Sequence, residues 1–261
     1  MTVRSYFTVA GPDRYLPTGH TGGAWSDEDL HLSPVAGLMV HHLERWRAAH
    51  GDADKTVGRI SFDVLGRLPR GEVSLVTELV RPGRTIELLQ TTASLGGRPV
   101  IVARAWALSP VDTSAVAAVE EHSLPAPDSL PDAALEEVWP GGYIRSVRGR
   151  IVAGHRPGRD AAWLTTDVDL VDGEEVGPLA TYMMLVDTAN GIATRTRPGS
   201  WMYPNVDLTV HLFRQPTGRW VGFDTMVTFG QAGHGLTSTV LHDEHGPVGR
   251  AEQLLTVRPA H

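Results

Sequence analysis

Three polar side chains stand where the local pattern disfavours them. Asp207 opens the run Asp207-Leu208-Thr209-Val210-His211-Leu212, an alternating strand pattern in which aspartate is disfavoured. Gln253 interrupts the apolar strand pattern of residues 249–258. Asp187 falls inside the apolar run 177–195, GPLATYMMLVDTANGIATR, where a carboxylate needs a partner. It reads either as a structural hydrogen-bonding acid or as a group supporting a nearby site. Carboxylates and amides suit the holding and deprotonation of a water molecule: the first accepts, the second both donates and accepts. The chain has no cysteine, so it offers no thiolate nucleophile, disulfide or thiolate metal site. It also lacks a Gly-x-Ser-x-Gly elbow.

Histidine offers less. One of His41 and His42, adjacent on a helix, must face outward, and a core or surface role is the commoner one. His20, His234 and His242 lack ligand spacing such as H-x-x-x-H. No metal or cofactor is expected.

The elements that position these groups are legible from periodicity. Residues 34–49, PVAGLMVHHLERWRAA, predict a helix with Val35, Leu38, Met39, His42, Leu43 and Trp46 on one face, Ser33 as N-cap, Pro34 at the first helical position and Gly51 past its end. The period then changes. Residues 57–66, 73–81, 84–95 and 99–108 predict an antiparallel meander, punctuated by turns at 69–71, Pro82-Gly83 and Gly96-Gly97. Residues 110–140, rich in Pro and Ala, predict a linker with a short helix near 132–138. Strands are expected again at 143–155 and 161–170, then a buried helix over 177–195. Four more strands follow near 206–214, 219–228, 234–242 and 247–257.

The halves repeat. Ser61-Phe62-Asp63-Val64 matches Asn205-Val206-Asp207-Leu208 at an offset of 144 residues, and Ala103-Arg104-Ala105 matches Gly249-Arg250-Ala251 at 146. The expected fold class is α+β: two long helices, each wrapped by a curved antiparallel sheet, as an N-terminal domain (1–109), a linker (110–141) and a C-terminal domain (142–261). At Gln253 the first half carries Ala107, and no Thr matches Thr228, so one site per chain is expected. Net charge −7 argues against a nucleic-acid surface. No window has the length of a membrane helix, and the start lacks a signal-peptide pattern, so a cytoplasmic location is expected.

A helix held in a curled sheet and duplicated in tandem resembles the double hot-dog fold, and the second half resembles the type II acyl-CoA thioesterases. The resemblance rests on Asn205-Val206-Asp207-Leu208-Thr209-Val210-His211-Leu212-Phe213-Arg214, on Trp220-Val221-Gly222-Phe223 with the following strand, and on 249–258. It implies hydrolysis of a fatty acyl-CoA by water that Asp207, Thr228 and Gln253 activate. It further implies an oxyanion donor near Gly177, where the second helix begins, and a substrate pocket bordered by Gly22 and Gly23. The family's Gly-Gly-Gln helix entry is absent: Gly22-Gly23 is followed by Ala24-Trp25 and an acidic loop, Asp27-Glu28-Asp29. The partner implied is acyl-CoA, with no nucleic acid and no membrane; a homodimer would cover the remaining sheet edges. Two rivals keep the fold without the hydrolysis: an acyl-thioester hydratase or dehydratase, for which His31 is a weak candidate, and a non-catalytic acyl-CoA-binding protein.

Overall fold

The computed structural model describes residues 4–50, 54–196 and 198–260, so Gly51 lies outside the described residues. The chain opens on β1 (Ser5–Gly11) and β2 (Arg14–Pro17), two strands that the sequence reading did not assign. Then come α1 (Leu32–Ala49), β3 (Thr56–Val64), β4 (Val73–Arg81), β5 (Ile86–Leu95) and β6 (Arg98–Leu108), matching the expected helix and meander. Gly96 and Gly97 have φ of +56° and +77°, as a two-residue hairpin of the primed type requires.

In the second half, β7 (Asp132–Ala133) precedes β8 (Val147–Ile151), β9 (Arg159–Thr166) and β10 (Asp169–Val171). The helical run then gives α2 (Pro178–Val186) and α3 (Ala189–Ile192), followed by β11 (Trp201–Met202). The remaining strands are β12 (Asp207–Leu212), β13 (Val221–Phe229), β14 (His234–Asp243), β15 (Gly246–Thr256) and β16 (Arg258–Pro259). The expected strand at 143–155 begins late, because Ile144–Ser146 forms a 3₁₀ turn. The short helix near 132–138 reduces to a 3₁₀ turn at Leu135–Glu137.

Fourteen strands form one sheet in the order β10-β1-β2-β4-β5-β6-β3-β12-β15-β14-β13-β9-β8-β7. Outward from the centre, each half runs through the strand after its helix, then its meander in reverse, then its early strands, β2 and β1 in the first half and β9, β8 and β7 in the second. The halves join where β3 and β12 pair antiparallel, setting Asp63 directly opposite Asp207. β10 follows β9 in the chain yet pairs in parallel with β1 at the far end of the sheet order. The sheet therefore curls almost fully around the helices.

Among the described residues one helix is long, which corrects the expectation of two. α1 has 18 residues and α2 has nine, with four more in α3. The break falls at Asp187 and Thr188. There the hydrogen bonds tighten to the i→i−3 pattern, Thr188 N to Leu185 O (3.1 Å) and Gly191 N to Thr188 O (2.8 Å). The Gln253 amide takes the carbonyl of Asp187 at 3.3 Å, a contact that holds the break open. α1 and α2 run antiparallel, with Ser33 beside Thr188, Gly37 against Met184 and Glu44 beside Gly177. A Cβ at Gly37 would meet Met184 Cβ at 2.5 Å, so a glycine permits the crossing.

The N-cap of α1 is His31 rather than Ser33: its Nδ1 accepts the Ser33 N–H at 3.1 Å. Pro34 thus sits in the third helical position. That is still within the first turn, where backbone N–H groups have no helical partner to lose.

Candidate active site

Strand parity decides which polar side chains can meet. Gln253 pairs with Thr237 on β14, which pairs with Val227 on β13, and all three face inward and are buried. Thr228 pairs with Leu236, which pairs with Leu254, and this row faces outward. Asp207 belongs to the outer row as well, accepting the Leu254 backbone N–H at 2.6 Å. Side chains one residue apart on a strand point to opposite faces. The structure therefore does not bring Asp207, Thr228 and Gln253 together: the first two lie outside the sheet and Gln253 inside. Asp207 is half-buried; burial first, and then the facing Asp63, push its carboxyl up, while the Leu254 N–H lowers it.

Gln253 is fully buried and meets Asp187 instead. Its Nε2 donates to Asp187 Oδ1 at 2.8 Å, and Asn205 Nδ2 donates to the same oxygen at 2.8 Å. Asn205 stands in the extended segment before β12. Its Nδ2 also donates to the Asp207 carbonyl at 2.9 Å, which orients the amide. Because Oδ1 receives two donors, Asp187 Oδ2 is the open acceptor; among the described residues its nearest charged-type neighbour is His31 Nδ1, at 3.7 Å. That contact is no ion pair, for the Nδ1 lone pair already faces the Ser33 N–H. Burial pushes the imidazole down to about 3, so it is neutral. Burial pushes the Asp187 carboxyl up to about 6, against the lowering effect of the Asn205 and Gln253 donors.

Asp187, Asn205 and His31 line a cavity of about 500 Å³ at the N-terminus of α1 and the C-terminus of α2. Its walls are largely apolar, with Trp25, Leu68, Trp139 and Ile192 among them, and Arg67 and Arg258 also border it. Trp139 is anchored by its indole N–H to Gly191 O (3.0 Å) and meets Trp25 edge-to-face at 5.0 Å. Behind the site, Tyr143 stacks on His31 at 4.1 Å and shares a 2.7 Å hydrogen bond with Thr188.

The expected glycines divide. Gly23 lines the cavity while Gly22 does not. Gly22 O accepts the Tyr143 N–H at 3.0 Å, and a Cβ there would lie 3.1 Å from Gly142 N, so this glycine serves close backbone packing. Gly177 lies away from the cavity, at the opposite end of the helix pair. A Cβ on it would meet Glu44 Oε2 at 2.8 Å. Burial pushes the Glu44 carboxyl up to about 7, and its Oε2 is buried without a hydrogen-bond partner. The α2 N-terminus therefore faces the chain's own acid, Glu44, rather than the cavity.

Sequence reasoning flagged Asp187 as a buried acid in need of partners but supplied neither partner; Asn205 it missed altogether. A signal existed for both. Asn205 directly precedes the Val206-Asp207 landmark, and an acid inside an apolar helix implies donors from outside that helix. Among the described residues no cluster of three or more His, Cys, Asp or Glu could hold a metal ion, and no helix is long and apolar enough to cross a membrane.

The model of an acyl-CoA thioesterase N-terminal domain matches residues 21–108, and that of an acyl-CoA thioesterase C-terminal domain matches 123–257. Among solved structures, a hot dog fold protein of unknown function from Alicyclobacillus acidocaldarius is similar, with TM-score 0.73 and 14% identity over 98% of this chain and 96% of that one. A chain from Novosphingobium aromaticivorans described as a thioesterase gives TM-score 0.70 and 17% identity over 97% and 98%. An acyl-CoA thioesterase II from Mycobacterium marinum gives TM-score 0.64 and 15% identity over 97% and 94%. At these identities the likeness is one of fold, the hot dog fold. No curated protein matches by sequence.

Proposed function

The chain belongs to the acyl-CoA thioesterase family and is a thioester hydrolase, and from that premise we propose that it hydrolyses a fatty acyl-CoA at Asp187. One observation carries the assignment: both amide donors, Asn205 and Gln253, converge on Asp187 Oδ1, leaving Oδ2 as the open acceptor of a carboxylate that lines the cavity. The geometry favours this acid over Asp207, whose oxygen is engaged by Leu254 N–H on the outer face. Of the residues expected from sequence, Gln253 stays at the site, now as a donor that orients the carboxylate, while Asp187 takes the role of Asp207 and Asn205 joins Gln253 in place of Thr228.

The chemistry follows from the arrangement. A water against Oδ2 attacks the thioester carbon, and its proton passes to Oδ2 as the new C–O bond forms. The C–S bond then breaks and the sulfur leaves with that proton, restoring the carboxylate. Asn205 and Gln253 fix the carboxylate's orientation, so little reorganisation is needed at the moment of reaction. A carboxyl near 6 is a stronger base than an ordinary aspartate yet ionised at neutral pH. The same reading divides the chain as a tandem double hot-dog, 1–109 and 142–261, with the chemistry held at one of its two pseudo-equivalent positions.

The test is release of free CoA thiol from acyl-CoAs of graded chain length by the purified protein and by Asp187→Asn. No release at any length, or equal release by the variant, sinks the assignment.

A further inference from the structure

Hydrolysis at Asp187 develops negative charge on the thioester carbonyl oxygen, and a base alone does not stabilise it. The donor expected at Gly177 is at the wrong end of the helix pair. We infer that the neutral imidazole of His31 is the oxyanion donor, through its Nε2–H. This rests on the Asp187 reading and extends it.

Three observations carry the inference. First, Nδ1 accepts the Ser33 backbone N–H at 3.1 Å, so the neutral ring must carry its proton on Nε2. Second, His31 lines the same cavity as Asp187, with its Nδ1 3.7 Å from Asp187 Oδ2, and among the described residues the ring's hydrogen bond is the one at Nδ1, none being found at Nε2. A donor without a protein partner, on a ring whose other nitrogen lies beside the base, is available to the substrate. Third, the ring is held in place: it stacks on Tyr143 at 4.1 Å and 28°, and Tyr143 is itself tied to Thr188, the residue after the base. The spatial relation between donor and base is thus fixed through one aromatic ring.

Neutrality matters to the chemistry. A protonated imidazole would pair with Asp187 and quench it as a base. A neutral one donates to the oxyanion and leaves the carboxylate free, and burial keeps this ring neutral throughout the working pH range. The electron pair of the carbonyl double bond moves onto oxygen as water adds, is held there by the Nε2–H, and returns when the C–S bond breaks. His31 neither gains nor loses a proton.

The experiment compares His31→Asn with wild type and Asp187→Asn, using acyl-CoA turnover, thermal unfolding and the pH profile. Asn at 31 keeps an N-cap acceptor but, being shorter, withdraws the donor. The expected result is a fall in kcat of about 10²–10³-fold, with KM little changed, unfolding near that of wild type, and the same acidic limb in the profile. His31→Phe, which keeps the stacking on Tyr143, should lose as much kcat. If His31→Asn folds and retains full kcat while Asp187→Asn is inactive, the oxyanion assignment is overturned and the base stands. If Asp187→Asn itself is active, the underlying reading has failed.

Discussion

Gln253 and Asp187, 66 residues apart in the chain, are joined twice: the Gln253 amide meets the Asp187 carboxylate at 2.8 Å and its backbone carbonyl at 3.3 Å. One side chain on the inner face of the sheet thereby orients the carboxylate and occupies the carbonyl at the point where the helix breaks.

That junction makes Asp187 a site of opposed demands. Replacing it by Asn, which can still accept from the two amides, should lower kcat by about 10²–10⁴-fold. The same change removes a buried charge, so the variant should be more stable at pH 7, by up to about 3 kcal/mol from a carboxyl moved from 3.8 to about 6. Chemical denaturation and thiol release on the same preparation check both.

Turnover should follow the ionisation of this carboxyl. kcat is expected to be level near neutrality and to fall tenfold per pH unit well below about 6. No limb from His31 should appear between pH 6 and 7, because the ring is neutral in the fold.

Stability should respond to acid with two opposed signs. His31 is held at about 3 in the fold against 6.5 in the open chain, so the unfolded state takes up its proton first. Stability is then complete above 6.5 and lost as pH falls toward 3. Asp187 acts the other way, its raised value favouring the native state as pH drops from 6 toward 4. Between pH 7 and 4.5 each amounts to about 2–3 kcal/mol. His31→Asn should therefore become less acid-sensitive than wild type and Asp187→Asn more so, as denaturation midpoints at the two pH values would reveal.

Asp207 and Thr228 supply the control. Both lie on the outer face, so Asp207→Asn and Thr228→Val should leave kcat within about twofold and stability within about 0.5 kcal/mol. Loss of turnover in either would return the chemistry to the outer row.

Away from the site, Glu87 is buried between Lys55 Nζ (2.9 Å) and Arg47 Nε (3.5 Å). Glu87→Ala would take this carboxylate from beside two buried cations and should cost about 3–5 kcal/mol. A lowered unfolding midpoint with unchanged KM is the expected signature.

What was legible in the sequence was periodic. The meander of β3–β6 and the strands β12–β15 were expected within a few residues, because alternation and turn glycines are local signals. Asp63 and Asp207, matched in the sequence as equivalent positions, also pair directly where the halves meet, a contact that the match did not foretell. The short strands β1 and β2 went unassigned, and β10 was merged into the strand expected at 161–170; their pairing depends on distant partners, β10 joining β1 across the whole sheet order. The second helix was read too long because Gln253, remote in sequence, takes up its carbonyl at residue 187.

The sequence by itself therefore determined the first helix, the longer strands and the oddity of Asp187, since each follows from neighbours within a few residues. Only the tertiary structure decided which acid is served. Alternation places Gln253 and Asp207 on opposite faces, but which face is inside depends on where the helices lie. Once α2 is packed against the inner face, Gln253 can reach Asp187 and cannot reach Asp207.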